Sequence, residues 1–324
     1  MVHIARHRLI VCFLVLLLLF IVPYTSGTSQ QEEGQIVIVF DFSHNTTYSV
    51  AKGNFSEAIG FFGDLPEYQV RLLETGELTA ANLSRSHILV IPNPMDNYSS
   101  SELEVISDYI SQGGSLFLLS DFQVVNRRIG NPLSVNSILQ ALLEPRIRFT
   151  TFVDGNETQG DAIIDLNSSH ILSYNIEVNS SFLYSYPDRE LLINGITSLL
   201  VAGGSLLSVY SDLIIASGSE TAQAVSVGGH VLRPQPSWLS AFWIGQSRIV
   251  LCSSTTMFSD TTCIVTNQSW FQSGDNSVLW YNIFRWMALD LVHNPVQIML
   301  FFVALVLVVG VVVFGYSLWR TKRV

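Results

Sequence analysis

Twenty-three consecutive residues, Val296 to Leu318, pass without a single charged side chain. As a helix they would rise about 34 Å, enough to cross a hydrocarbon core of about 30 Å. Residues 295–318 are therefore expected to form one transmembrane helix, with 296–318 in contact with the lipid bilayer. Arg320, Lys322 and Arg323 follow at once, and basic residues beside a span stay in the cytoplasm, so 319–324 reads as a cytoplasmic tail. At the other end Arg6 and Arg8 precede an apolar run from Leu9 to Val22, and Thr25, Ser26 and Gly27 come after Pro23. That three-part layout predicts a signal peptide over residues 1–27, with an uncleaved anchor as the alternative. Residues 28–294 are then one extracytoplasmic domain, facing the cell surface or a lumen.

Charge agrees with export rather than nucleic-acid binding. The end segments carry five of the 16 basic residues and none of the 26 acidic ones, so 11 basic residues face 26 acidic ones in the middle, a formal charge of −15. Such a surface repels nucleic acid and anionic lipid headgroups. Eight Asn-x-Ser/Thr sequons, at Asn45, Asn54, Asn82, Asn97, Asn156, Asn167, Asn179 and Asn267, exceed the roughly three that chance would place, and are expected to accept glycans. Cys252 and Cys263 are the two cysteines of the exported part. An oxidising compartment allows them a disulfide, while Cys252 also suits the interior of a strand as a small apolar residue.

From Gln35 the pattern alternates. Ile36 to Phe40 reads as a strand, Phe55 to Phe62 as helical, and Tyr68 to Leu72 and Ile88 to Ile91 as further strands. Ser101 to Ser111 is a helix behind a Ser99-to-Glu102 capping box, stopped by Gly113-Gly114, and Leu116 to Leu119 is a fourth strand. Continuous apolar strands between amphipathic helices predict an α/β domain with a parallel, flavodoxin-like sheet covered on both faces, over residues 35 to about 145. Residues 146 to 260 hold short apolar runs (199–201, 213–215, 224–227 and 248–252) that read as strands. They extend the sheet or form an added β-rich part. Ser277 to Leu291 has the spacing of a closing helix, leading within four residues to the apolar span.

Three strings carry a resemblance: Ile88 to Pro92; Glu102 to Ile110 followed by Gly113 to Asp121; and Arg248 to Ser254 with Phe258-Ser259-Asp260, then Gly274 to Asn276 and Arg285 to Ala288. Together they resemble class I glutamine-amidotransferase-like domains. The branch is that of gliding-motility proteins associated with ABC transporters, an intraflagellar-transport subunit, and the non-catalytic single-span subunit of oligosaccharyltransferase. Active amidotransferases place a nucleophilic cysteine on a glycine-flanked turn after the central strand. Here that turn reads Ser120-Asp121-Phe122-Gln123. The resemblance thus implies a domain without glutaminase chemistry and without a catalytic residue.

The mouth of an open α/β sheet lies beyond the carboxyl ends of its strands. Asp41 and His44 follow the first strand, Asn93 the third, and Ser120 and Asp121 the fourth, so these five are the candidate ligand-binding residues. Asp41, His44 and Asp121 could also serve a hydrolase or a cation site, and the aspartates could equally cap turns. Ser253, His230 and Asp260 lack any Gly-x-Ser-x-Gly elbow. Trp238, Phe242, Trp243, Trp270 and Trp280 suit a sugar-stacking surface or a core. No zinc spacing, phosphate loop or dinucleotide fingerprint occurs, and no cofactor or metal is expected. The expected role is a non-catalytic accessory subunit bound to integral-membrane protein subunits, a glycosyltransferase as in protein N-glycosylation or, alternatively, an ABC-type transporter.

Overall fold

The computed structural model describes residues 35–289, apart from 122, 125–126, 129, 143–145, 155–156, 161, 166–172, 175–186, 220 and 227–229. The signal peptide, transmembrane helix, tail, Cys12 and the sequons at Asn156, Asn167 and Asn179 lie outside the described residues. Among the described residues no helix is long and apolar enough to cross a membrane.

Nine strands form the main sheet: β1 (Ile36–Asp41), β2 (Tyr68–Leu73), β3 (Ile88–Pro92), β4 (Ser115–Leu119), β5 (Ile147–Phe149), β6 (Leu206–Ser208), β7 (Ile214–Ser217), β8 (Ser237–Ile244) and β9 (Ser247–Cys252). Their order is β2-β1-β3-β4-β9-β8-β6-β5, with β7 also paired to β8. The first five in that order are parallel neighbours, and the pairings beyond β9 are antiparallel. β9 comes last in sequence yet pairs with β4, Val250 beside Phe117. A three-stranded antiparallel sheet (162–165, 222–225, 231–234) stands apart from the main one.

The strands are continuous apolar runs because both faces are covered. Successive side chains alternate between faces: Ile38, Phe40, Val90, Phe117 and Val250 enter one core, and Val39, Leu89, Leu116, Leu118 and Ile249 the other. Against the first face pack α1 (Ser56–Gly60) and the closing helix, which spans Asn276–Met287. Trp280 of that helix is fully buried, its ring 4.7 Å from Phe258 and 4.8 Å from Phe284, and its indole N–H donates to Ala58 O at 3.0 Å. The second face is covered by two further helices, Ser100–Ser111 and Pro132–Ala141, through Ile106, Ile110, Val135, Ile138 and Leu139. Counting also the short turns of helix at Ala80–Leu83 and Glu190–Ile193, these are α2 (Ala80–Leu83), α3 (Ser100–Ser111), α4 (Pro132–Ala141), α5 (Glu190–Ile193) and α6 (Asn276–Met287).

Most expected elements form, with three departures. The stretch Phe55 to Phe62 is not one helix: α1 gives way to a 3-10 turn over Phe61–Asp64. The capping box at Ser99 forms in full, and α3 ends where Gly113 takes φ +96, a conformation open to glycine. Cys252 and Cys263 are both free thiols, so the disulfide is not made. Cys252 belongs to the β9 core, its Sγ 3.7 Å from Met257 Sδ, whereas Cys263 packs with Leu200, Ala202 and Trp270 in a separate cluster. Nor do the aromatics make a stacking surface, because Trp238, Phe242, Trp270 and Trp280 are buried.

Candidate functional site

Two polar clusters occupy the carboxyl edge of the parallel strands. The first gathers where β1 exits. Asp41 Oδ1 accepts from the Ser43 amide at 2.9 Å and from Ser43 Oγ at 2.5 Å, and Tyr98 OH donates to Asp41 Oδ2 at 2.8 Å. His44 Nδ1 lies 3.4 Å from Asp41 Oδ2 and 3.0 Å from Ser43 Oγ, while its Nε2 lies 3.2 Å from Glu102 Oε1. The imidazole stacks on Tyr98 with centroids 3.7 Å apart. Burial by itself lowers the His44 pKa, but the hydrogen bond and charge of Asp41 and the charge of Glu102 outweigh it and leave it raised. The backbone of this turn is held too, since Met95 N and Asp96 N both donate to His44 O.

Glu102 binds this cluster to its surroundings. Its Oε2 accepts from the Ser99 amide and hydroxyl, both at 2.9 Å, completing the cap of α3, and its Oε1 accepts from Leu78 N at 2.9 Å. Burial raises its pKa, yet these hydrogen bonds and the neighbouring imidazole bring the net shift below the usual carboxylate value.

The second cluster sits at the exits of β3, β4 and β9. Asp121 is buried, and its carboxyl oxygens accept from Thr256 N and lie 3.2 Å from Thr256 Oγ1. Tyr48 OH is 2.6 Å from the same Thr256 hydroxyl. Burial raises the Asp121 pKa well above its ordinary value, and the hydrogen bonds from Thr256 and its neighbours only partly offset that rise. Asn93, fully buried at φ +52, donates its amide to Leu119 O and so joins β3 to the end of β4. Ser120 is buried beside Asp121 and lines a small cleft.

All five sequence-derived residues thus lie at the carboxyl edge, but in two groups. No hydrogen bond or ion pair joins Asp121 to Asp41 or His44 among the described residues, so a single Asp41/His44/Asp121 centre is not assembled. No group of three or more metal-ligating side chains is found among the described residues. The Ser253/His230/Asp260 arrangement does not exist either: Ser253 Oγ donates to Gly204 O and Trp238 O, His230 is exposed, and Asp260 accepts from Ser56 N and Glu57 N, capping α1. Sequence reasoning missed Ser43, Tyr48, Tyr98 and Thr256. It gave Glu102 a capping role and not its contact with His44. Only Tyr98 carried a signal, as an aromatic one residue before an N-cap.

No protein-family model matches the chain, and no curated protein matches it. Among solved structures it is similar to the mmIFT52 N-terminal domain, with TM-score 0.54 and 15% identity over 78% of this chain and 97% of that one. A putative ThuA-like protein from Parabacteroides merdae ATCC 43184 gives TM-score 0.43 at 9% identity, covering 79% of this chain and 90% of that one. Another, from Bacteroides uniformis ATCC 8492, gives 0.41 at 12%, covering 82% and 95%. At these identities the likeness to the first is one of fold: a mixed α/β domain built on a largely parallel sheet.

Proposed function

We propose that the chain is a non-catalytic, membrane-anchored extracytoplasmic subunit of a membrane complex, most specifically one of the oligosaccharyltransferase kind. The observation that carries this reading is the turn after β4. Where an amidotransferase-like domain would present a nucleophile, this chain has Ser120 and an Asp121 whose carboxyl is buried against Thr256. Every acid of the His44 cluster is likewise already bonded to neighbouring donors, the arrangement of a structural lock rather than of a base poised toward solvent.

The course of the closing helix supports the topology. Ser115 Oγ at the start of β4 donates to Met287 O, and Arg248 near the start of β9 donates to Trp286 O. The chain therefore leaves the domain at the amino edge of the sheet, and the apolar stretch begins nine residues after Met287. The membrane then faces the amino edge, and the two polar clusters face away from it. Asn45 and Asn97, both exposed, flank that outer edge and suit glycan attachment there.

Purification of the full chain in mild detergent from its own host, with identification of bound proteins, tests the proposal. A multi-span glycosyltransferase recovered in fixed ratio supports it. An ATPase with a permease would replace it by the transporter reading, and recovery of the chain alone would remove both.

A further inference from the structure

The turn between α2 and β3, residues Ser84 to His87, stands at the amino edge of the sheet and gathers hydrogen-bond donors without acceptors. Arg71 of β2 pairs with Val39 of β1, and His87 stands two residues before Leu89, so both side chains take the second face of the sheet, where Val39 and Leu89 are buried. Arg71 Nη2 donates to Ser84 O at 2.9 Å, the one hydrogen bond of this guanidinium among the described residues; Nε is buried, and Nη1 is left toward solvent. His87 Nδ1 accepts from Val37 N at 2.9 Å, so the proton of the neutral ring sits on Nε2, which has no acceptor among the described residues. Burial, and then the neighbouring Arg71 charge, lower the His87 pKa and favour that neutral ring. Arg85 stands in the same turn, exposed, at φ +58.

Two guanidinium groups give this corner a fixed positive charge. Glu67 and Asp108 are exposed at the same edge, but no ion pair joins either of them to Arg71, Arg85 or His87 among the described residues. The titratable neighbour of Arg71 is Tyr109, a phenol that is neutral at physiological pH. The corner is thus basic on a domain whose exported part carries 11 basic and 26 acidic residues, a formal charge of −15. It also adjoins the place where the chain leaves the domain. Ser115 N donates to His87 O at 2.9 Å, and Ser115 Oγ donates to Met287 O at 3.4 Å. The apolar stretch begins nine residues after Met287, a reach of about 30 Å when fully extended.

We propose that this corner holds the headgroup phosphate of an anionic phospholipid, with Arg71 and Arg85 giving charge-assisted hydrogen bonds and His87 Nε2 a neutral one. An open corner suits a headgroup, because the bilayer presents its phosphates from outside the domain and attracts basic side chains within a short distance of its surface. The acidic remainder of the domain is repelled by the same surface, so the contact fixes which side of the domain faces the bilayer. The inference rests on the membrane-anchored reading and adds to it the lipid contact that orients the domain.

The test reconstitutes the full chain in nanodiscs of phosphatidylcholine, alone or mixed with phosphatidylglycerol, and follows amide hydrogen exchange of residues 84–88. Exchange should be slower in the anionic discs by about fivefold or more, the effect of one arginine held at an anionic surface. Arg71→Gln and Arg85→Gln should each remove most of that difference, and Arg85→Gln, at an exposed position, keeps the test open if Arg71→Gln fails to fold. Equal exchange of the parent chain in the two kinds of disc, or undiminished slowing in the folded variants, would overturn the proposal and leave the anchored reading intact. Slowing by inorganic phosphate in neutral discs, with none from phosphatidylglycerol, would overturn it in favour of a soluble phosphate ligand. A chain that does not enter the discs would overturn the anchored reading and the proposal with it.

Discussion

Replacing Glu102 by alanine should be among the most damaging single changes to a polar side chain of this domain. Three losses combine. The α3 cap loses its reciprocal half, worth about 1 kcal/mol. The amide of Leu78, a residue only 1% exposed, loses its acceptor at 2.9 Å, at a cost of about 1–3 kcal/mol for a buried unsatisfied group. His44 loses one of its two carboxylate neighbours. The total is about 3 kcal/mol, which for a domain of this size lowers Tm by roughly 6–12 °C. Glu102→Gln keeps the shape and one acceptor oxygen, so it should lose about half as much. Circular dichroism melts of both variants beside the parent at neutral pH measure this. A Glu102→Ala protein melting within about 2 °C of the parent would refute the reasoning, because the three bonds would then carry no net stability.

His44 gives a pH signature. Its pKa is raised in the folded state, so its contribution is full below the unfolded value of about 6.5 and is lost as pH rises through the folded value. The stability gap between parent and His44→Gln, read by urea melts from about pH 5 to about pH 9, should therefore shrink with rising pH; a gap that widens would contradict the assigned partners. Gly203→Ala should cost about 3 kcal/mol or more, since a Cβ there would sit 2.0 Å from the backbone oxygen of Ser253, and a near-neutral melt would show that these two backbone segments can move apart. Glycan removal from host-made protein should increase gel mobility, and Asn45→Gln, Asn97→Gln and Asn267→Gln should each remove part of that shift, these three side chains being exposed. No shift on enzymatic treatment would argue against export.

The parallel half of the sheet was legible because its strands are covered on both faces. Ile36 to Phe40, Ile88 to Ile91 and Leu116 to Leu119 read as unbroken apolar runs, and Ser99 with Glu102 announced α3 by a local rule that needs no tertiary information. The placement of β9 beside β4 was not legible, since pairing order is set by long-range packing that no sequence period encodes. α4 went unread: Pro132 at its first position was a start signal, but Ser134, Asn136 and Ser137 blur its apolar stripe. β8 read as a set of aromatics rather than a strand, because Trp238, Leu239, Ala241 and Phe242 are buried on both faces and do not alternate with polar residues. The site was legible as far as the edge rule reaches, which placed Asp41, His44, Asn93, Ser120 and Asp121 at one end of the sheet. Their division into two clusters was not, because it depends on Tyr98, Glu102 and Thr256, which arrive from distant stretches of chain.

On the proposed reading the domain contributes structure and not chemistry to its complex. The most direct measurement is the turnover of the co-purified complex containing a His44→Gln, Asp41→Asn double variant, with subunit recovery quantified in the same preparation. Turnover per assembled complex should equal that of the parent, even where a less stable subunit lowers the yield of complex. Full assembly with turnover lost would contradict it, and would make the cluster at the end of β1 a catalytic site.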